Sequence, residues 1–180
     1  MPVALLGDGS AGAYVLHIAV RRDISVVFGR FNGGEPIDVI AGEYVYVGSA
    51  CAVKGSTSLP RRLLRHATRC TGDPHAIRDE LIRELAERAL PSDPPTHKTL
   101  RWNIDHLIER PETVITGIVA VCTPDDVERE IAEWLADDPT AIPLAVGLGA
   151  HDHPGYTHVL RVRGNPEWWQ GITNRLTTLL

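Results

Sequence analysis

The sequence YVYVGSA at residues 44–50, followed by SLPRRLLRH at residues 58–66, decides the organisation of this chain. The first stretch alternates like a half-buried strand, with Tyr44 and Tyr46 on one face and valines on the other. The second stretch starts like a capped helix, because Ser58 precedes a proline in the first turn. We therefore expect a strand, a glycine-containing exit and a helix in succession.

The same region is basic, although the whole protein is acidic with a formal net charge of -5. Residues 44–70 contain no Asp or Glu and carry Lys54, Arg61, Arg62, Arg65, His66 and Arg69. The helical step of about 100° places the last four of these on one stripe, opposite Leu63, Leu64 and Ala67. An alternative interpretation is that these arginines only keep the exposed helix soluble, as surface arginines commonly do. Because no acid neutralises this stripe, we favour anion binding, with Arg62 and His66 one turn apart around a phosphate.

The composition fits one soluble domain, since 180 residues with 43% hydrophobic and 23% charged side chains suffice for a sizeable core. The negative net charge argues against a protein that coats nucleic acid over its whole surface, but it permits a basic cleft. Three cysteines without a CxxC pair predict neither disulfides nor a thiolate zinc site, and a reducing cytoplasm is the expected compartment. The N-terminus lacks a basic signal segment and no apolar run reaches about 18 residues, so we expect neither secretion nor a membrane span.

Alternating and helical patterns predict the remaining elements. Residues 12–20 and 24–28 alternate and are interpreted as a hairpin, while residues 113–121 and 157–163 are interpreted as further strands. Helices are expected at residues 75–90, at 101–108, after the cap Thr123-Pro124-Asp125-Asp126, and from Asn165 onward. The helix after the Thr123 cap carries Glu128.

Two further motifs indicate other chemistries. The GDGSAG segment at residues 7–12 matches GxGxxG, but a dinucleotide site needs a helix after it, and a strand is predicted to follow. We therefore expect a flexible glycine loop there. The densest group of potential zinc ligands is His151, Asp152, His153 and His158, although His and Asp in a glycine-rich loop are commonly solvated turn residues.

Six segments, in order between about residues 12 and 162, resemble the GIY-YIG nuclease superfamily. The closer resemblance is to its Uri-type branch, which is described by the domain of unknown function DUF123. GAY at residues 12–14 and YVG at residues 46–48 resemble the motifs that name the superfamily, and the long gap between them fits the branch. The segments that resemble the branch are YVYVGSA at 44–50, RLLRH at 62–66, WNIDHL at 102–107, EREIA at 128–132, GLGAHDH at 147–153 and THV at 157–159.

The resemblance implies an α/β domain of the α+β type, with helices flanking a small central antiparallel sheet. It implies one domain over residues 1–180, with a core at about 12–162 and a C-terminal helix at 165–179. It further implies an endonuclease that hydrolyses phosphodiester bonds with one Mg²⁺ or Mn²⁺ ion. DNA is the expected substrate ahead of RNA. A homodimer stays open, because the helix with Trp168 and Trp169 could dock a second subunit or pack on the sheet.

Under this resemblance, each role in the chemistry has a candidate residue. Tyr14 or Tyr46 would orient or deprotonate the water, although a phenol with an ordinary pKa near 10 needs help from a metal or a cation. Arg62 would stabilise the charge on the phosphoryl oxygens, and His66 would donate to the leaving oxygen or share the base role. Glu128 would bind the metal as a hard oxygen ligand.

Additional contacts are expected around these residues. The predicted substrate-binding residues are Gly48, Ser49, Lys54, Arg65 and Arg69, and Gly48 is chosen because backbone without a side chain allows close approach. The second-line candidates are Asp105, Asp152 and His158, for which hydrogen bonding at turns and helix ends is the competing interpretation.

The chain departs from the family pattern at Asn103, His151 and His153, where we expect histidine, serine and cysteine. These departures keep two alternatives open: a nucleic-acid-binding module of the same fold without turnover, and a zinc-dependent hydrolase built on His151, Asp152 and His153. Without the resemblance, Tyr14 and Tyr46 would be interpreted as aromatic residues that pack the sheet, and Glu128 as a solvent-facing helix residue.

Overall fold

The computed structural model describes residues 2–55, 57–149 and 157–180. Within these ranges the strands are β1 (Val3–Leu6), β2 (Gly12–Val20), β3 (Ile24–Val26), β4 (Ile37–Val39), β5 (Gly42–Ala50), β6 (Thr113–Cys122), β7 (Ala141–Pro143) and β8 (Val159–Val162). The α-helices are α1 (Leu59–Ala67), α2 (Ile77–Glu87), α3 (Asn103–Ile108), α4 (Glu128–Ala136) and α5 (Pro166–Thr177). Apart from α4, each helix begins within about two residues of its predicted start.

Six of the strands form one mixed sheet in the order β1-β6-β2-β5-β8-β7. All neighbouring pairs are antiparallel except β1, which joins β6 in parallel at the edge. The predicted α/β class, with an antiparallel central sheet flanked by helices, is confirmed, and β1 is an addition. The glycine segment at 7–12 leads from β1 into β2, so a strand follows it, which is the wrong context for a dinucleotide fingerprint.

The predicted hairpin between residues 12–20 and 24–28 is wrong. β2 pairs over nine positions with β5 on one edge and over nine with β6 on the other. The short strand β3 pairs with β4 in a separate two-stranded sheet instead. Alternation identifies a strand and its faces, but it does not identify the partner, because long partners offer more ladder hydrogen bonds than a three-residue strand.

The helix that carries Glu128 starts later than the sequence predicts. The Thr123 hydroxyl accepts a hydrogen bond from the Asp125 amide at 3.3 Å, and the first residue of α4 is Glu128 itself. A short polar side chain that bonds the backbone two residues ahead stabilises a turn in place of a helical start. As a result, Glu128 lies in the first turn of α4 and not in the interior of the helix.

Side chains on the central strands alternate between two apolar cores. Even-numbered positions, such as Leu16 on β2 and Tyr46 on β5, face the layer of α1, α2 and α3. Odd-numbered positions, such as Val15 and Val47, face α4 and α5. This period of two is the geometry of a pleated strand covered on both faces.

The C-terminal helix packs on the sheet of its own chain. Ile172 and Leu176 are buried in the second core, and Trp168 and Trp169 pack against it while half-buried. Of the two alternatives for this helix, packing on the sheet is therefore the one observed. None of the described helices is long and apolar enough to cross a bilayer.

Candidate active site

Side chains predicted to take part in catalysis or metal binding come together near the end of β5. Tyr14 lies on β2 directly opposite Gly48 of β5, and Tyr46 lies two residues before Gly48. Arg62 and His66 come from α1, which follows β5 after a short connection. Four elements, β2, β5, α1 and α4, contribute to this group.

Tyr14, Tyr46 and His66 form a compact cluster beneath the surface. The Tyr14 hydroxyl lies 2.8 Å from Nε2 of His66, and both side chains are fully buried. The ring centroids of Tyr14 and Tyr46 are 6.1 Å apart, and those of Tyr46 and His66 are 6.0 Å apart. The prediction of a cationic helix surface is therefore wrong for His66, because the imidazole is enclosed by the two phenols.

Gly48 makes this cluster sterically possible. A Cβ atom at residue 48 would lie 2.5 Å from the Tyr14 hydroxyl oxygen and 3.0 Å from Cε1 of Tyr46, closer than real Cβ contacts allow. The structure therefore gives the glycine a packing function that the sequence does not predict: it accommodates the two tyrosine rings.

Asp105 closes the cluster from the other side of His66. Its Oδ1 lies 3.5 Å from Nδ1 of His66. Its Oδ2 accepts hydrogen bonds from the backbone amides of Arg101 and Trp102, at 2.8 and 3.1 Å, and from Nη2 of Arg65 at 3.1 Å. The carboxylate is fully buried, and these donors replace the water that Oδ2 loses, whereas Oδ1 has charged or chargeable neighbours, His66 and Lys98, but no hydrogen-bond partner.

Burial and neighbouring charges set the protonation of these groups. Burial lowers the pKa of His66, and Asp105 offsets this only in part, so the imidazole is neutral near pH 7. Burial also raises the pKa of both phenols, Tyr14 and Tyr46. For Asp105, burial favours the neutral acid, but the interactions with His66, the Arg101 amide and Lys98 outweigh it and lower the pKa. The resting site therefore holds an aspartate, a neutral imidazole and two protonated phenols.

Ser49 links the two faces of the sheet at the end of β5. Its backbone carbonyl accepts a hydrogen bond from Arg62, which lies on the α1 side. Its hydroxyl donates to Glu128, the first residue of α4 on the opposite side. The Glu128 carboxylate raises the pKa of Tyr46 and Arg62 lowers it, both less strongly than burial does, so both charges lie within electrostatic reach of the phenol.

Trp102 holds the basic side chains in place, although the sequence gives it no role. The guanidinium carbons of Arg62 and Arg65 lie 4.4 and 4.9 Å from the centre of its ring, and that of Arg101 lies at 5.2 Å. The signal that could have identified Trp102 is its position inside the WNIDHL segment, three residues before Asp105. Lys98 is a second omission, with Nζ 3.9 Å from Asp105 and no recognisable motif around it.

The chain matches the family described as "Domain of unknown function DUF123" over residues 13–179. It belongs to the DUF123 family. No curated protein and no solved structure matches the chain. The match covers all the elements that build the cluster, from Tyr14 on β2 to Glu128 on α4.

Other predicted site residues of this DUF123 domain lie elsewhere or are already engaged. Arg69 donates to the backbone carbonyl of Thr113 at 2.5 Å. Thr113 is the first residue of β6, far along the strand from Ala120, which pairs with Tyr14. Arg65 is paired with Asp105, and Lys54 is exposed in the connection between β5 and α1. The basic stripe expected on one helix face is therefore divided, and Arg62 is the member that lies beside both phenols and Ser49.

The donor set near Glu128 suits a hard cation better than zinc. Ser49 and Glu128 offer hydroxyl and carboxylate oxygens, and Nδ1 of His158 lies 3.3 Å from Oε1 of Glu128. The described part of the DUF123 domain contains no group of three His, Cys, Asp or Glu residues that could hold a metal. A Mg²⁺ ion that keeps several waters needs only one or two carboxylates, so these residues fit it. His151, Asp152 and His153 lie outside the described residues, and the zinc alternative built on them stays a prediction.

Proposed function

We propose that this domain is a divalent-metal-dependent endonuclease of the GIY-YIG superfamily, in its Uri-type branch, and that it hydrolyses phosphodiester bonds in nucleic acid, with DNA expected ahead of RNA as the substrate. The observation that supports this most is the meeting of Arg62, Glu128 and the two phenols around Ser49 at the end of β5. Phosphodiester cleavage needs a cation for the phosphoryl oxygens, a proton acceptor for water and a metal ligand. One residue or pair is present here for each of these needs.

Arg62 is the group that would contact the phosphoryl oxygens. Its guanidinium is held against the Ser49 carbonyl and the Trp102 ring. A planar guanidinium fixed in this way can bind a phosphate with little further loss of side-chain freedom. Charge that develops on the phosphoryl oxygens in the transition state is then stabilised by a donor that is already oriented.

The phenols would take the proton of the attacking water. As the water oxygen bonds to phosphorus, its proton passes to a phenolate oxygen, the bond from phosphorus to the leaving oxygen breaks, and the leaving oxygen takes a proton from solvent water. A phenolate forms at Tyr14 only if its own proton moves away, and His66 at 2.8 Å is placed to receive it. Burial opposes this transfer, because it raises the pKa of Tyr14 and lowers that of His66, so the step depends on the positive charge of Arg62 and of the metal ion. Because His66 is fully buried, it acts through Tyr14 and does not donate to the leaving oxygen directly.

Glu128 would hold the Mg²⁺ or Mn²⁺ ion, with the Ser49 hydroxyl and the His158 imidazole beside it. When bound, such an ion neutralises phosphate charge and lowers the pKa of a coordinated water. In this arrangement, His158 orients the Glu128 carboxylate, in the way that groups behind a metal ligand usually do.

The test is cleavage of supercoiled and single-stranded DNA, with an RNA of matched sequence, in Mg²⁺ or Mn²⁺ and after chelation with EDTA. We expect cleavage that requires the metal. Arg62→Ala should lower the rate by about 10²–10³, and Glu128→Ala should remove the metal-dependent cleavage, while both variants stay folded. The controls are the exposed Arg83→Ala on α2 and Glu130→Ala on α4, which remove the same charges elsewhere and should cleave normally. Full activity in Arg62→Ala or Glu128→Ala would rule out the assignment.

The second candidate is a module that binds nucleic acid without turnover, and the burial of Tyr14 and His66 supports it. Tyr14 and His66 have no exposed surface, so a substrate reaches them only if the surrounding side chains move. This alternative predicts DNA binding whose logarithm falls with the logarithm of salt concentration, with a slope near 0.9 per neutralised phosphate, and no cleavage with any metal. A gel-shift titration at several salt concentrations, beside the cleavage assay, separates the two candidates.

A further inference from the structure

Asp105, His66 and Tyr14 form a row of three fully buried polar groups with a definite order. The Asp105 Oδ1 faces Nδ1 of His66 at 3.5 Å, and Nε2 of the same ring faces the Tyr14 hydroxyl at 2.8 Å. All three have no exposed surface, so no bulk water competes for these contacts. The positions of the hydrogens along such a row are set by the group that can accept hydrogen bonds but has no hydrogen to donate.

Asp105 is that group. Its Oδ2 already receives three N–H donors, from Arg101, Trp102 and Arg65, and Lys98 lies 3.9 Å from Oδ1. An ionised carboxylate has no hydrogen to donate. The ring nitrogen that faces Oδ1 is therefore satisfied only if it carries the hydrogen.

We propose that Asp105 is a positioning residue, which holds His66 in the tautomer with hydrogen on Nδ1 and so makes Nε2 the acceptor for the Tyr14 hydroxyl. The opposite tautomer would turn the Nδ1 lone pair toward the carboxylate in a site without water. Two facing acceptors in such a site lose their hydrogen bond and repel each other. The Tyr14 hydroxyl thus donates to Nε2 of His66, and the N–H at Nδ1 is directed at Oδ1 of Asp105 across 3.5 Å, where neither atom has another hydrogen-bond partner.

This direction determines what Tyr14 can do. Its hydrogen points inward to Nε2 of His66, and its oxygen also lies within hydrogen-bonding reach of Tyr46. When the O–H bond of Tyr14 breaks and an N–H bond forms at Nε2, a phenolate and an imidazolium result, and Asp105 stabilises the imidazolium. The catalytic use of this transfer rests on the proposed nuclease function, whereas the tautomer is a property of the folded protein and does not depend on it.

The test is ¹⁵N NMR of the histidine rings in the intact, labelled protein near pH 7, with His66 assigned from the spectrum of His66→Gln. We expect a neutral His66 ring with its hydrogen on Nδ1. In Asp105→Asn, the amide can present its NH₂ group to Nδ1, and we expect the hydrogen to move to Nε2. The control is Glu109→Gln, which removes a carboxylate that contacts Lys98 at 2.6 Å but does not touch His66. The control should leave the His66 tautomer unchanged.

The outcomes separate the two proposals. A wild-type His66 with hydrogen on Nε2, or on both nitrogens, overturns the positioning role, even if Asp105→Asn fails to fold. If the wild type cleaves DNA, Asp105→Asn should lower kcat with little change in KM. A loss of about 10⁴ occurs when the orienting aspartate of a serine protease triad is changed to asparagine. If the tautomer is as expected and the wild type cleaves nothing, the positioning role stands and the nuclease proposal fails.

Discussion

The two faces of the central sheet differ in what they bury, although the same strands form both. On the face covered by α1, α2 and α3, the side chains of Tyr14 and Tyr46 enclose buried His66 and Asp105. On the face covered by α4 and α5, Val15, Val45 and Val47 meet Leu135, Ile172 and Leu176. Packing on the second face depends on shape and apolar area, whereas the first face also has to satisfy buried polar groups. The difference indicates that buried polar groups are concentrated on one side of the sheet, whereas the other side is packed by apolar side chains and contributes Glu128 only at the end of β5.

The largest expected effect is on stability and comes from the apolar face. Leu135 of α4 is fully buried, so Leu135→Ala removes apolar contacts and leaves a cavity. We expect the free energy of unfolding to fall by about 2–5 kcal/mol. Urea unfolding measures this, and Val27→Ala, at a residue that is 47% exposed, is the control with a change of at most about 0.5 kcal/mol. In the folded Leu135→Ala variant, the ¹⁵N shifts of His66 should not move, and a shift there would show that the two faces are coupled.

Acid should weaken the face that holds the buried histidines. Burial lowers the pKa of His75 to about 3, and its ring bonds the Ile115 amide and the Ile108 carbonyl, both at 3.1 Å. Burial lowers the pKa of His66 as well. Below about pH 6.5 the histidines of the unfolded chain bind protons, whereas the buried histidines of the folded chain do not. The free energy of unfolding is therefore highest above that pH and decreases as the pH drops.

The size of the acid effect follows from the same linkage. His75, whose pKa is about 3, should cost about 2 kcal/mol of unfolding free energy between pH 6.5 and pH 5, at about 1.4 kcal/mol per pH unit, and His66 acts in the same direction. Urea midpoints measured from pH 7.5 to 5 check the total. His75→Gln also changes packing and therefore the stability at pH 7.5, so the comparison is of the dependence on pH, which should be shallower than in the wild type. An unchanged dependence would contradict the burial of a neutral His75.

A matched pair of glycine substitutions compares a close-packed position beside the tyrosines with an exposed position on α5. In Gly48→Ala the new methyl group would lie 2.5 to 2.6 Å from the fully buried Tyr14, so we expect a loss of about 1–3 kcal/mol and a weakened bond from Tyr14 to His66. Gly171 lies within α5 and a Cβ there would meet no atom within 4 Å. Gly171→Ala should therefore add about 0.5–1 kcal/mol. Thermal unfolding of both variants decides this, and equal effects would contradict the close packing at Gly48.

Much of the fold and part of the site could be predicted from the sequence. The alternation at 44–50 identifies β5 and its two faces, and the basic segment that follows identifies α1. The pairing of β2 could not be predicted, because ladder partners compete over the whole chain and a pattern of period two does not rank them. The burial of His66 could not be predicted either, since it depends on Asp105, which lies far away in sequence.

The sequence by itself determined which residue types are available: phenols on one face of two strands, arginines on the next helix, and a glutamate after a proline-containing turn. Only the tertiary structure decided how these charges are used. It directs Arg65 to Asp105 and Arg69 to a backbone carbonyl, and it leaves Arg62 beside the phenols. It also brings Glu128 to Ser49 from the opposite side of the sheet. The physical reason is that a helical or strand period fixes direction within one element, whereas burial and ion pairing depend on which elements pack together.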